Sequence, residues 1–297
     1  MSGPAWAQLA GELPGRLSLP GDERYARRTT MFNKRWRDLR PCAVASVAGI
    51  DDVRRAIRWA GDHDIAVSIR GGGHSYAGYS VVDDALVLDV SALNSVETDP
   101  STGRMTVGGG APMSSILPQM RRHGLAFPAG NHQDVGIGGL TTGGGVAAVS
   151  RAYGLTCDSL LSTVIVTPDG RTRYCDAVEN PDLFWASRGG GGGNFGVNVS
   201  FTFQARPVPD VSVFALTWRT ADPVGMLDVL QRIVRDAPDE FSTRIGVDTS
   251  GSRPGEPANE PAVSAVGLHL GSEGALLELL DPALTAAAPD RRTITTV

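Results

Sequence analysis

A short apolar segment followed at once by a run of glycines constrains the fold of this chain more than any other feature. The segment Ile65–Ile69 predicts a buried strand, and the loop Arg70–Gly78, with three consecutive glycines and His74, comes directly after it. Because glycine has no Cβ, it adopts positive φ angles that other residues avoid. Successive N–H groups in such a loop can converge on an anion. The loop therefore predicts an anion site beside an imidazole; the alternative is a glycine-rich turn with His74 facing solvent.

Glycine is also the residue type whose abundance stands out, with 37 glycines among 297 residues. They are concentrated in clusters between well-patterned apolar segments, which excludes a collagen-like or low-complexity chain. Apolar residues at 41% and charged residues at 20% are ordinary for a globular protein. The clusters therefore mark places where the backbone takes special dihedral angles or approaches a flat or charged group closely.

Charge and cysteine usage exclude several classes of partner. A net charge of −5 argues against binding to nucleic acid. The three cysteines show no CxxC spacing and the five histidines no metal-ligand spacing, so we expect neither a disulfide framework nor a metal site. The chain shows no secretory signal and no apolar run of membrane-spanning length, so we expect a cytoplasmic protein without a membrane partner. The oligomeric state is left open.

The first 120 residues begin like a βαβ unit. A strand from Arg40, a helix with Asp51 as its N-cap and Asp62 as its last residue, and the strand at 65–69 would suit a Rossmann fold. Elements that this fold does not require then follow: strands at Leu86–Val90 and Arg104–Val107 joined by the turn residues 99–103, and a helix containing Met113 and Met120 that ends at Gly124.

The composition changes at Pro207–Pro209, which predicts a domain boundary. Beyond this boundary, the proportion of strands and helices suggests an α+β domain. Several elements are predicted on the two sides of the boundary. They are a hairpin of Ser162–Thr167 and Arg171–Cys175, a helix at 182–186 with Asn180 as N-cap, strands at Asn198–Phe203, Val211–Trp218, Phe241–Val247 and Ala262–Leu270, helices at Pro223–Ala237 and Glu273–Leu284, a surface loop at Gly251–Pro261 and a strand beginning at Ile294.

Short motifs exclude some cofactor sites and favour another. Gly191–Gly196 satisfies GxGxxG, but it follows a predicted helix and precedes a strand, which is the reverse of the dinucleotide fingerprint. The chain has no GxxxxGK[ST], HExxH or GxSxG pattern. Three glycine loops beside strand ends instead fit a long ligand with a diphosphate in the middle and a planar ring at one end. FAD has that shape.

Four segments in this order resemble the signature segments of berberine-bridge-enzyme-like FAD oxidases, whose FAD-binding domain is of the PCMH type (vanillyl-alcohol-oxidase-like). They are Arg70–His74, Val135–Gly145, Asn180–Trp185 and Arg188–Val197. The resemblance covers about residues 39 to 207 and continues more weakly to residue 297. It implies an α+β fold with a lead-in at 1–38, a two-subdomain FAD-binding domain at 39–207 and an incomplete α+β substrate domain with an antiparallel sheet at 208–297.

The resemblance also implies which residues bind the cofactor. His74 would be linked covalently to the flavin 8α-methyl carbon, and Gly71–Ser75 would hold the diphosphate. Plain tight packing is the alternative for some of the glycines. The full implied set is Arg70, Gly71, Gly72, Gly73, His74, Ser75, Gly78, Val135, Gly138, Gly139, Thr142, Gly143, Gly145, Gly193, Asn194, Phe195, Gly196 and Val197.

The chain departs from the family pattern in two ways. Many relatives carry a second covalent anchor, a cysteine, where this chain has His132, so the resemblance implies a single link and makes His132 a candidate for flavin contact or for a catalytic base. Relatives also continue well past residue 297 and carry their usual base there, so the chain reads as C-terminally shortened and no catalytic residue is assigned. Val135 stands where a small aliphatic residue is associated with oxygen access, which favours an oxidase.

The function implied is oxidation of a small alcohol, sugar or amine by hydride transfer to flavin N5, with dioxygen as acceptor. Two alternatives stay open: a truncated FAD-binding protein without turnover, and a flavin dehydrogenase that uses another acceptor. The substrate itself is not indicated by any motif.

Overall fold

The computed structural model describes residues 3–248 and 261–296. These residues form two compact units, one made of the chain up to Ala147 together with Leu155–Pro207, the other of Ala148–Gly154 together with Val208–Val297. Helices and mainly antiparallel sheets occur side by side, which confirms the α+β class. No described helix has the length and apolarity needed to span a membrane. The loop predicted at Gly251–Pro261 lies, except for its last residue, outside the described residues.

The described helices and strands are numbered in chain order. The helices are α1 Gly3–Glu12, α2 Glu23–Thr29, α3 Ile50–Asp62, α4 Met113–His123, α5 Ile137–Thr142, α6 Ser150–Tyr153, α7 Pro181–Ala186, α8 Pro223–Asp236 and α9 Glu273–Ala286. The strands are β1 Leu17–Ser18, β2 Ala43–Ser46, β3 Val67–Arg70, β4 Leu86–Asp89, β5 Val96–Asp99, β6 Arg104–Gly108, β7 Leu125–Ala126, β8 Leu160–Val166, β9 Thr172–Cys175, β10 Val197–Gln204, β11 Arg206–Pro207, β12 Val211–Arg219, β13 Phe241–Asp248, β14 Ala262–Leu270 and β15 Arg291–Thr296.

The first sheet of the first unit has the order β1-β2-β4-β3, with β2, β4 and β3 parallel. Its core includes Val53 and Trp59 of α3 against Leu88 of β4. Because β3 is an edge strand with a neighbour on one side only, Val67 is 38% exposed, and the prediction of a buried strand here is wrong. The glycine loop begins where β3 ends, beside the end of β4.

The second sheet of this unit has the order β5-β6-β10-β8-β9 and is antiparallel throughout. Burial alternates along β10, and Phe203 stacks on Phe127 with ring centroids 4.3 Å apart. The turn at 99–103 joins β5 to β6, not β4 to β6 as predicted, because β4 belongs to the other sheet. The strand β5 was not predicted, because its mostly polar sequence lacks the apolar pattern that indicates a strand.

The start of α3 differs from the prediction, whereas the position of the N-cap of α7 agrees with it. The N-cap of α3 is Gly49, two residues before Asp51, and the carboxylate of Asp52 accepts the N–H of Ala48 at 3.0 Å from inside the first turn. Asn180 precedes α7 as predicted, but it takes a left-handed conformation, and its side chain donates to the carbonyl of Tyr174 instead of capping the helix.

The second unit is one antiparallel sheet of order β13-β14-β12-β15, packed with α8 and α9. Alternate residues of β12, including Phe214 and Trp218, enter its core. The indole N–H of Trp218 donates to the carbonyl of Ala287 at 2.9 Å. Its four antiparallel strands confirm the sheet predicted for this part of the chain. The predicted limits of the domains, at residues 39 and 207, stay a prediction.

Candidate functional site

A cleft of about 770 Å³ lies within the first unit. Its walls come from the residues after β3 and β4, from the segment around α5 and from the segment that enters β10. Ligand-binding clefts in proteins typically have volumes of roughly 300–1,000 Å³. The two sheets of this unit thus leave between their strand ends a space large enough for a cofactor.

Thirteen of the residues predicted to bind a cofactor line this cleft, and so does His132. The thirteen are Gly71, Gly72, Gly73, His74, Ser75, Val135, Gly138, Gly139, Thr142, Gly143, Gly145, Gly193 and Gly196. They come from three segments that are far apart in the chain. That they bind a cofactor stays a prediction.

The other five predicted residues do not line the cleft. Arg70 lines a second cavity and donates to the carbonyls of Thr30 and Gly71. Gly78 has no room for a Cβ, which would lie 2.7 Å from the ring of Trp36. The side-chain amide of Asn194 donates to the carbonyl of Gly190, and the side chain of Phe195 is 40% exposed. Val197 is part of a hydrophobic core.

Two of the glycine loops touch each other through their backbones. A Cβ on Gly72 would lie 2.2 Å from the carbonyl oxygen of Asp134, and a Cβ on Gly136 would lie 2.7 Å from the nitrogen of Gly72. A Cβ on Gly139, by contrast, would meet no atom within 4 Å. The glycines therefore serve two purposes: some allow loops to pack, and others leave space.

Several backbone donors along the cleft have no hydrogen-bond partner among the residues that the structure describes. No residue that the structure describes accepts a hydrogen bond from the N–H of Gly72, Gly73 or His74. The same holds, across the described chain, for Gly138 and Gly139, because the first N–H groups of a helix have no partner within it. Gly73 has φ +70°, which an L-residue rarely adopts, and this turn allows adjacent N–H groups to be presented together.

The imidazole of His74 lies in an aromatic cluster at the cleft. Phe32 stacks on it with centroids 4.6 Å apart and an interplanar angle of 19°, and the ring of His132 lies 4.9 Å away. A hydrogen bond of 3.0 Å from the N–H of Phe32 to the carbonyl of Gly73 holds the two segments together. Burial lowers the pKa of His74 below its ordinary value, and His132 acts in the same direction while Asp134 opposes it. This shift favours the neutral form of the His74 imidazole.

His74 and His132 also lie close to a carboxylate. Donor atoms of these two residues and Asp134 are all within 4.8 Å of one another, a set that transition metals accept. Histidine spacing could not indicate this grouping, because His74 and Asp134 come from different loops. The expectation that the chain binds no metal stays a prediction.

Sequence reasoning missed several residues of the cleft. Phe32 and the exposed rings of Tyr76 and Tyr79 line it, and so do Gly109 and Asn198. Gly109 stands in the triplet Gly108–Gly110, which was a usable signal. Phe32 had none, because it precedes the first predicted strand and reaches His74 only through the fold.

Comparison with known proteins agrees with this geometry. A family described as an FAD binding domain matches residues 41–176. The chain is 32% identical over 287 residues to an FAD-linked oxidoreductase of Bacillus subtilis, YgaK, with 94% of this chain and 60% of that protein covered. It is 33% identical over 237 residues to (R)-6-hydroxynicotine oxidase of Paenarthrobacter nicotinovorans, with 78% and 50% covered. The solved structure of Physcomitrella patens BBE-like 1 superposes with a TM-score of 0.88 at 27% identity, covering 98% of this chain and 62% of that one.

Over most of its length this chain is similar to berberine-bridge-enzyme-like FAD-linked oxidoreductases. It spans about three fifths of the length of YgaK and of the plant structure. The resemblance seen in four sequence segments is thereby confirmed, and so is the PCMH-type fold.

The residues of the cleft fit FAD. Unpartnered N–H groups at 72–74 and 138–139 are suited to a diphosphate, since backbone N–H groups that converge bind anions. Open space at Gly139, where a Cβ would meet nothing, leaves room for a bulky group. Aromatic rings around His74 provide a surface for a planar ring system.

Proposed function

We propose that this protein is an FAD-dependent oxidoreductase that oxidises a small organic substrate, an alcohol, sugar or amine, with dioxygen as acceptor. The observation that carries the proposal is the cleft in which unpartnered N–H groups of the loop 71–74 lie beside the imidazole of His74, whose pKa is lowered. The name of one relative, (R)-6-hydroxynicotine oxidase, supports a small-molecule substrate.

In this proposal each part of the cleft has a task. The N–H groups of Gly72, Gly73 and His74 hold the diphosphate, and the start of α5 adds the donors of Gly138 and Gly139. Bound FAD supplies hydride acceptance at N5 and reoxidation by dioxygen. Phe32 holds the His74 ring in place by stacking on it, and Val135 lines the wall.

We further propose that His74 carries the flavin covalently and does so alone. Only the neutral form of an imidazole has a free lone pair for the new N–C bond, and the lowered pKa of His74 keeps that form available. The imidazole nitrogen and the 8α-carbon would each give up one hydrogen, and dioxygen would take the two electrons. His132 lies 4.9 Å from His74, centroid to centroid, close enough to contact the flavin or to accept a proton. Its assignment as a base stays a hypothesis.

Acid precipitation of the purified chain, followed by mass spectrometry, tests both the binding of FAD and its covalent link to His74. We expect flavin absorbance in the pellet and an intact mass increased by one FAD less the two hydrogens lost in forming the bond. His74→Ala should release all flavin to the supernatant, whereas the matched variant His132→Ala should keep it in the pellet. A wild-type chain that takes up no FAD would contradict the proposed function, and one that binds FAD but releases all of it in acid would contradict the covalent link alone.

Reduction of the bound flavin by substrate tests the activity. Flavin absorbance should bleach when a panel of alcohols, sugars and amines is added without oxygen, and return on admission of air with formation of hydrogen peroxide. If the flavin absorbance returned only when a dye acceptor was added, the protein would be a dehydrogenase. Absence of bleaching with every substrate would show binding without turnover.

A further inference from the structure

A second cavity of the first unit, of about 490 Å³, has a lining dominated by arginine. The lining residues are Arg24, Arg27, Arg28, Arg70, Asp89 and Ser91. Four guanidinium groups thus face one carboxylate. A cavity with such an excess of positive charge attracts anions.

The single carboxylate is already occupied. The side chain of Asp89 is 2% exposed and contacts the guanidinium of Arg28 at 2.5 Å. It also accepts the N–H of Ser91 at 3.0 Å and lies 4.0 Å from the guanidinium of Arg70. Asp89 therefore does not neutralise the two arginines on the outer part of α2.

Those two arginines keep donor capacity. The guanidinium of Arg24 donates to the carbonyl of Gly15 at 3.0 Å, and it pairs with no carboxylate within residues 3–248 and 261–296. Arg27 lies 3.1 Å from Glu23, but both side chains are more than two thirds exposed, and such pairs interact weakly. Each guanidinium has five N–H donors in a rigid fork that matches phosphate oxygens.

Two further observations point to a ligand. The Nε of Arg70 is buried and has no hydrogen-bond partner among the described residues, which is costly unless a ligand or water accepts from it. Arg70 and Asp89 also end the parallel strands β3 and β4, and ligands of open α/β sheets bind beyond the carboxyl ends of such strands.

We propose that this cavity binds a small phosphate-bearing anion, separately from the flavin cleft. Arg24, Arg27 and Arg28 bind the anion from α2, and Arg70 binds it from the end of β3. The inference rests on charge and geometry in this cavity alone and does not require that the chain bind FAD. Two sources of phosphate chemistry are distinguished by the test: a free phosphate compound, and the diphosphate of FAD itself.

Calorimetric titration with inorganic phosphate, carried out both without FAD and with saturating FAD at constant ionic strength set with chloride, tests the site. We expect saturable binding of one phosphate per chain. The double variant Arg24→Ala with Arg27→Ala should weaken it by about tenfold or more, because charge-assisted hydrogen bonds from two guanidinium groups to the anion are lost. The variant with lysine at both positions should bind with intermediate affinity.

The matched control removes the same charge elsewhere: Arg121→Ala with Arg122→Ala, both exposed at the last turn of α4. It should bind phosphate like the wild type. Equal weakening by both double variants, or no saturable binding, would overturn the proposal. Phosphate binding that appears only without FAD and is displaced by it would also overturn it, because the anion would then be the flavin diphosphate. The flavin spectrum, read separately, reports the proposed function.

Discussion

At the scale of single residues, the protonation of His74 is set by its neighbours. Burial and His132 lower its pKa, and Asp134 raises it. His132→Asn should therefore raise the His74 pKa towards its ordinary value, and Asp134→Asn should lower it further. NMR titration of the imidazole in flavin-free protein measures the midpoint directly.

The same reasoning gives the pH dependence of covalent flavin attachment. Neutral imidazole is the reactive form, so the rate should be constant above the His74 pKa and fall as pH drops through it. This fall should move to higher pH in His132→Asn. A titration midpoint of His74 in the wild type at or above the ordinary pKa of histidine would contradict this explanation of its protonation.

Two glycines of the cleft should respond to substitution in opposite ways. Gly139→Leu adds a side chain where no atom lies within 4 Å, so the fold should survive while flavin uptake falls at least tenfold. Gly72→Ala places a Cβ 2.2 Å from a backbone oxygen, so backbone must shift, at a cost of about 1–3 kcal/mol of stability. Thermal unfolding by circular dichroism and flavin uptake, measured on both variants, separate the two effects.

The control for this pair is Gly124→Asn, at the left-handed C-cap of α4, away from the cleft lining. Asparagine tolerates that conformation, so stability and uptake should change little. Normal flavin uptake by Gly139→Leu would show that the flavin does not occupy this cleft.

At the scale of elements, α8 depends on a side chain from α6. The guanidinium of Arg151 donates to the carbonyls of Val234, Ala237 and Phe241 at 3.1–3.3 Å, at the point where α8 ends. Removing this group leaves helix-terminal carbonyls without their donor. Arg151→Ala should lower the local free energy of opening there by about 1–3 kcal/mol.

Native-state hydrogen exchange of peptides from residues 230 to 241 measures this loss. Arg235→Ala is the matched control: it removes an exposed arginine of the same helix whose hydrogen bonds go to the adjacent Asp236, and it should cost less than about 0.5 kcal/mol. Equal effects of the two variants would show that Arg151 does not hold the end of α8.

At the scale of the whole molecule, the cleft lies entirely within the first unit. Ligand that binds only the folded state stabilises it, by about 2.7 kcal/mol at a hundred times the dissociation constant. Hydrogen exchange with and without FAD should therefore show the largest gain in protection at residues 71–75 and 136–146. A gain no larger there than in β14 would contradict this location of the flavin.

Local signals in the sequence were sufficient for much of the fold. Gly124 ends α4 with φ +60°, as its position predicted, and the turn Pro168–Gly170 joins β8 to β9. The apolar segment before the glycines is a strand and the glycines do follow it. Each of these features depends on dihedral preferences within a few neighbouring residues, which the sequence states directly.

Features that depend on distant segments were not predictable in this way. The exposure of Val67 follows from the edge position of β3, and the stacking of Phe32 on His74 joins residues 42 positions apart in the printed sequence. The placement of Asp134 beside His74 is of the same kind.

By itself, the sequence determined where the backbone needs residues without a Cβ and, through its family resemblance, which cofactor such loops accommodate. Only the tertiary structure decided that Gly72 meets the backbone of another loop while Gly139 faces open space. It alone also gathered four arginines around one buried carboxylate. The physical reason is that the surroundings of a Cβ or a charge are formed by chain segments that meet only on folding.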